Sequence, residues 1–205
     1  MERTCFLCVA AFGISDLVWH DRPLWLDPRA GLMVPGLGGF CPGYVLIAPL
    51  DHELNLRSAA TKEDGFVSFV DGALKFLADR LGRLTFWEHG APTGSTKQRS
   101  ACIDHAHLHV VPGQLNLPKP SQGQPFTRLS DALTKKTNLE EADGYLLLGW
   151  SDGQVIVGAD VMMSQYYRRE WAKLVGRHSE WDYLVAEDTR ITEATIRLLL
   201  PIDGG

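Results

Sequence analysis

Three histidines separated by single apolar residues stand between Asp104 and Pro112, in the order Asp104-His105-Ala106-His107-Leu108-His109-Val110-Val111-Pro112. Successive side chains of an extended strand point to opposite faces, so this alternation predicts three imidazoles on one face and Ala106, Leu108 and Val110 on the other. A helix would scatter them. Each ring carries two nitrogens that need partners, so three imidazoles on one sheet face call for a ligand. The alternative is a solvent-exposed strand that happens to be rich in histidine. A neutral imidazole is a competent nucleophile at phosphorus when its other nitrogen donates to a fixed acceptor, which sets the tautomer.

Two further groups of residues could do chemistry. Cys5-Phe6-Leu7-Cys8 has a spacing that lets two thiolates reach one ion. A redox pair is disfavoured because the motif does not lie between a strand and a helix; a pair of half-buried cysteines is the plain alternative. The second group is the long polar stretch from Gly90 to Ser100, where Lys97 and Arg99 form a double cation and glycine and hydroxyl residues let backbone N–H groups approach phosphate oxygens. That composition suits a substrate with more than one phosphate, and equally a solvated basic loop.

The elements that must position these residues follow from periodicity and punctuation. Leu17–Trp19, Pro23–Leu26 and Leu32–Val34 read as successive antiparallel strands, and Gly36, Gly38 and Gly39 as a flexible loop. Gly43–Pro49 is a near-continuous apolar strand, buried on both faces, with Asp51 and His52 just past its end. Thr61–Leu81 is the clearest helix: Thr61 and Asp64 resemble a capping box, the apolar stripe Phe66, Phe69, Val70, Ala73, Leu74 and Leu77 keeps the helical period, and Gly82 stops it. Leu84–Glu88 is the next strand. After Pro112 a Pro/Gly/Gln-rich surface loop leads to a short helix near Leu129–Lys135. Gly144–Trp150 and Gln154–Gly158 flank Ser151-Asp152-Gly153 as a hairpin, and 165–175 and 192–200 are helical.

Composition narrows the class. The chain has 205 residues, enough for one full core, with 20 Lys+Arg against 25 Asp+Glu. The acidic balance disfavours an extended nucleic-acid footprint but leaves room for a small anionic ligand in a locally basic pocket. Four cysteines, at 5, 8, 41 and 102, are too few and too unevenly spaced for a disulfide scaffold, so a reduced, cytoplasmic setting is expected. No stretch approaches the roughly 20 apolar residues of a membrane span, and the N-terminus does not read as a secretion signal.

In order along the chain, the CxxC, the strand ending in Pro49-Leu50-Asp51-His52, the long helix, the Glu88-His89-Gly90 strand end and the histidine run resemble the histidine triad (HIT) superfamily of nucleotide hydrolases and nucleotidyl transferases. These pieces span Cys5 to Pro112, just over half the chain. The resemblance implies an α+β fold with an antiparallel sheet packed on one long helix, residues 1–115 forming the HIT-like core and 116–205 a C-terminal extension packed on the same domain. In the zinc-bearing branch of that superfamily, which includes galactose-1-phosphate uridylyltransferases, the positions matching Cys5, Cys8, His52 and His105 bind one structural zinc. The competing assignment makes His105 a supporting catalytic residue and leaves the CxxC without metal.

The same resemblance makes His107 the nucleophile, through a nucleotidyl-histidine intermediate, with His109 beside the phosphate to stabilise charge or protonate the leaving group. Glu88, Lys97, Arg99, Ser100 and Cys102 are expected near the nucleotide phosphates, although the loop that carries Lys97 and Arg99 is longer than the turn of the short hydrolases and Cys102 departs from the small hydroxyl residue usual in relatives. Histidine rather than glutamine at 109 points to the hydrolase side, while the long Lys97/Arg99 loop points to a transferase or phosphorylase of dinucleoside polyphosphates or nucleotide-sugars. A zinc-stabilised nucleotide-binding protein with little turnover is the third reading. A nucleotide or dinucleotide is the expected partner, and homodimers are common among relatives. The segment Ser164-Gln165-Tyr166-Tyr167-Arg168-Arg169 resembles a stretch of some HIT-like proteins with C-terminal extensions; we read it as a polar helix face in preference to a phosphate contact.

Overall fold

The computed structural model describes residues 5–12, 17–92, 105–139, 144–159, 163–183 and 188–200. The fold is α+β. Eight strands, β1 (Trp25–Asp27), β2 (Gly31–Pro35), β3 (Val45–Ala48), β4 (Leu84–Gly90), β5 (Leu108–Pro112), β6 (Gln124–Phe126), β7 (Tyr145–Trp150) and β8 (Val155–Ala159), form one antiparallel sheet in the order β1-β2-β3-β5-β4-β7-β8-β6. Among the described residues there are six α-helices: α1 (Phe6–Ala11), α2 (Leu56–Lys62), α3 (Phe66–Leu81), α4 (Leu129–Thr134), α5 (Tyr166–Leu174) and α6 (Thr189–Leu199). No helix among them is long and apolar enough to cross a membrane.

Because strand side chains alternate, each central strand feeds two cores. Val45 and Ile47 of β3, Phe86 of β4, Leu108 and Val110 of β5 and Leu147 of β7 face one side, where Leu56 of α2, the Phe66–Leu77 stripe of α3 and Leu133 of α4 cover them. Leu46, Trp87, Val111, Leu146 and Leu148 face the other, beneath Leu7 and Ala10 of α1 and Tyr167 and Trp171 of α5. The histidine run belongs to this second side, so the helices that cover it come from the two ends of the chain.

Several elements differ from the sequence expectation for local physical reasons. Trp19–Asp21 forms a 3-10 turn, with Val18 and Trp19 exposed, and it does not join the sheet, whose first strand is β1. The helical run from Thr61 divides in two. Gly65 takes φ +92° and starts α3 at Phe66, while the Thr61 hydroxyl donates to the Ser58 carbonyl inside α2, so no Thr61/Asp64 capping box forms. The Gly36–Gly39 loop is a tight cradle: a Cβ on Gly36 would fall 2.3 Å from the Tyr44 ring. Gln124–Phe126, expected as loop, pairs with β8, and its Pro125 is tolerated because β6 is the last strand of the sheet.

Candidate functional site

Cys5 precedes α1 and Cys8 lies in its first turn, which puts both sulfurs on the side facing the sheet's histidine end. Cys8 Sγ is 3.2 Å from His52 Nδ1 and 3.4 Å from His105 Nδ1, and Cys5 Sγ is 3.5 Å from His105 Nδ1. All four ligand atoms lie within 4.8 Å of one another. Four donors at arm lengths of about 2.0–2.3 Å around a tetrahedral centre stand roughly 3.3–3.8 Å apart, so the spacing fits one ion. His105 Nε2 lies 3.1 Å from the Pro49 carbonyl, an acceptor only, so Nε2 carries the proton and the Nδ1 lone pair points at the sulfurs.

Protonation fits the same arrangement. Burial, opposed by the Pro49 carbonyl, holds His105 down to about 4, the neutral form a ligand needs. Burial and the adjacent Cys5 sulfur push the Cys8 thiol up to about 11. A bound cation acts oppositely, since a coordinating thiol loses its proton. The residues Cys5, Cys8, His52 and His105 therefore lie close enough to hold a metal ion.

Three residues beyond His105 the geometry changes purpose. β5 begins at Leu108, so of the three histidines His109 alone is in the ladder, between Leu46 of β3 and Trp87 of β4. His107 precedes the strand, and its ring meets His109 at 4.6 Å between centroids. His105 turns aside to the cysteines. The expectation of three imidazoles projecting side by side from one strand thus gives way to a buried pair and a third ring turned to the cysteines.

Hydrogen bonding fixes the pair's tautomers. His107 Nδ1 lies 2.7 Å from the His105 carbonyl oxygen, which only accepts, so Nδ1 carries the proton and Nε2 presents its lone pair. That lone pair is 3.1 Å from His109 Nε2, which must donate to it. His109 Nδ1 then accepts from the Tyr44 hydroxyl at 2.7 Å. Burial lowers the proton affinity of both rings, with His107 and Arg168 adding to the effect at His109, so both are neutral at physiological pH. The ring of His109 lies nearly parallel to Trp87 and Tyr44, 16° and 5° out of plane.

The pair opens into a pocket walled by Trp87 and His89 of β4 and by the start of α5, from Gln165 to Arg168. Arg168 is 2% exposed and donates to the carbonyls of Leu37, Gly38 and Trp181 and to the Tyr44 hydroxyl. This corrects the reading of 164–169 as a polar helix face: Arg168 is turned inward, while Arg169 packs its guanidinium over Trp181. Gln165 adopts a left-handed conformation at φ 56°, uncommon outside glycine, and its buried Oε1 lacks a hydrogen-bond partner among the described residues, as does the Tyr167 hydroxyl.

The remaining predicted positions lie elsewhere. Glu88, one residue from Trp87, faces the opposite side of β4, where it accepts from Leu56 N at 2.7 Å and from the Tyr145 hydroxyl; the structure does not bring it to the histidine pair. Lys97, Arg99, Ser100 and Cys102 lie outside the described residues. Sequence reasoning gave no chemical role to His89, Tyr44 or Trp87. Parity was the available signal for two of them, since Trp87 and His89 share a face on one strand. No family model matches the chain, and no curated protein matches it either.

Proposed function

We propose that this protein is a nucleotide hydrolase of the HIT type that cleaves at the α-phosphate through a covalent intermediate on His107. One observation carries the reading: His107 lines the pocket and is held by its Nδ1–H on the His105 carbonyl, which leaves Nε2 as the nitrogen with the lone pair, accepting the Nε2–H of His109 until a substrate displaces that bond. A neutral imidazole so oriented is a nucleophile with a fixed approach direction, and its neighbour carries the one proton that a departing oxygen needs. The Gln165 Oε1 and the Tyr167 hydroxyl, without a hydrogen-bond partner among the described residues, offer hydrogen bonds to groups of a bound ligand. Support for a nucleotide as the ligand comes from the resemblance of the Cys5–Pro112 segments to the superfamily.

In the proposed reaction His107 Nε2 attacks phosphorus, the leaving oxygen takes the proton of His109 Nε2, and water then releases the nucleoside monophosphate. The Cys5, Cys8, His52 and His105 cluster is proposed to hold structural zinc, because two thiolates and two imidazoles make a closed tetrahedral set with no position for substrate. Its contribution is placement: His105 supplies both a ligand nitrogen and the carbonyl that orients His107.

The test is trapping. Brief incubation with an α-phosphate-labelled nucleotide, followed by alkaline denaturation, should leave an acid-labile label on residue 107, and His107→Ala should abolish both label and turnover while keeping the fold. Product analysis distinguishes hydrolysis from transfer to a second phosphate-bearing acceptor. Tight nucleotide binding without product would assign the chain as a binding protein, and full activity in His107→Ala would refute the mechanism.

A further inference from the structure

The general acid assigned to His109 raises a chemical difficulty. A neutral imidazole that gives up its only proton becomes an anion, which is far too costly in a buried site unless the other nitrogen is protonated at the same time. A cationic His109 does not resolve this, because the Arg168 guanidinium lies just beyond Tyr44 and opposes a second positive charge. The group in position to supply the proton is the Tyr44 hydroxyl, 2.7 Å from His109 Nδ1.

We infer that Tyr44, held against the buried Arg168 of α5, sets the tautomer of His109 and replaces its proton as the leaving group departs. This rests on the reading above and adds to it a positioning residue on the Gly43–Ala48 segment and a charge from the C-terminal part of the chain. The direction of every bond agrees. Arg168 donates to Tyr44 at 3.3 Å, Tyr44 donates to His109 Nδ1, His109 Nε2–H donates to His107 Nε2, and His107 Nδ1–H donates to the His105 carbonyl.

The steps balance. As the bond from His107 Nε2 to phosphorus forms and the bond from phosphorus to the leaving oxygen breaks, that oxygen takes the Nε2 proton of His109. The phenolic proton of Tyr44 moves to His109 Nδ1, and the tyrosinate remains beside Arg168. In the second half a water oxygen attacks phosphorus and the His107 bond breaks. The water's proton goes to His109 Nε2, and Nδ1 returns its own to Tyr44. Arg168 is suited to the intermediate state because its partners among the described residues, three carbonyls and one hydroxyl, are all neutral. A tyrosinate at Tyr44 would place a negative charge on a hydrogen bond that this guanidinium already makes. The surrounding packing holds this geometry: a Cβ on Gly38 would meet Arg168 Nη2 at 3.0 Å, and Trp171 packs edge-on against Tyr44 at 5.2 Å.

Tyr44→Phe removes one oxygen and keeps the ring. With aryl esters of adenosine and guanosine 5′-monophosphate, the variant should lose about tenfold or more in kcat when the leaving group is phenol and less than about threefold when it is 2,4-dinitrophenol, with KM little changed. A merely structural role would lower both alike, so equal losses, or none, would overturn the inference. A second arm is independent of turnover. Long-range ¹H–¹⁵N NMR of the imidazoles should find His109 in the Nε2–H form in the native protein and a mixture of tautomers in Tyr44→Phe, and His109 found as Nδ1–H in the native protein would overturn it. Should the native protein hydrolyse none of the esters, the reading as a hydrolase fails, while the NMR arm still decides whether Tyr44 sets the tautomer.

Discussion

Glu88 lies between Trp87 and His89 yet faces away from the pocket they wall, into the core beneath α2, where Leu56 N and the Tyr145 hydroxyl hold its two oxygens. Burial pushes its carboxyl up to about 8, against the lowering effects of those hydrogen bonds and of Arg57. A carboxyl raised in the fold adds stability that is fully present below the ordinary value, near 4.5, and is lost as pH rises through about 8. Unfolding free energies from urea titrations between pH 5 and pH 8 should therefore fall for the native protein relative to Glu88→Gln, by up to about 1.4 kcal/mol per pH unit. Parallel curves would mean that the buried carboxyl is already ionised. At this same scale His107 and His109 differ in what Nδ1 meets, an accepting carbonyl in the first and a donating hydroxyl in the second, and the proposed roles of nucleophile and acid rest on that difference.

Helix α5 has only nine residues and owes its place to packing rather than to its own propensity. Its Trp171 meets Phe40 at 4.7 Å, Tyr44 at 5.2 Å and Trp87 at 5.8 Å, edge-on in each case. Removing the indole leaves a cavity between the helix and the histidine face. Trp171→Ala should cost about 3–5 kcal/mol in chemical denaturation and lower turnover along with it, because Arg168 loses the surface that holds it. Leu174, 49% exposed at the other end of the helix, is the control: its change to Ala should stay within about 0.5 kcal/mol. Equal effects would mean that α5 is held by its loop contacts and not by the aromatic cluster.

Across the whole molecule, the cysteine and histidine cluster ties residues far apart in the chain: Cys8 reaches His52 across 44 positions and His105 across 97. An ion there would close two loops, pin α1 to the sheet and hold the residue whose carbonyl accepts from His107. The native protein purified without added zinc should carry close to one equivalent, and Cys5→Ala should lose most of it along with stability on the order of a few kcal/mol. Chelator-stripped protein should melt earlier and regain its midpoint on addition of zinc. Unchanged stability on stripping would sink the structural role.

What the sequence determined alone is what neighbours in the chain decide among themselves. The 151–153 turn joins β7 and β8 because Gly153 sits between two near-continuous apolar runs, and the stripe from Phe66 to Leu77 is buried because its spacing matches one helix face. Cys5 and Cys8 were legible as a pair through residue type and spacing, His52 and His105 joined them through the resemblance, and the four ligand atoms lie within 4.8 Å of one another. The tertiary structure decided what no local pattern contains. Arg168 and Arg169 are equally plausible as surface cations, and only the docking angle of α5 turns the first inward, onto Tyr44 across 124 positions. The tautomers of His107 and His109 likewise depend on the His105 carbonyl and on a tyrosine 65 positions away, because a proton's place on imidazole is set by its partners in space, whatever their separation in the chain.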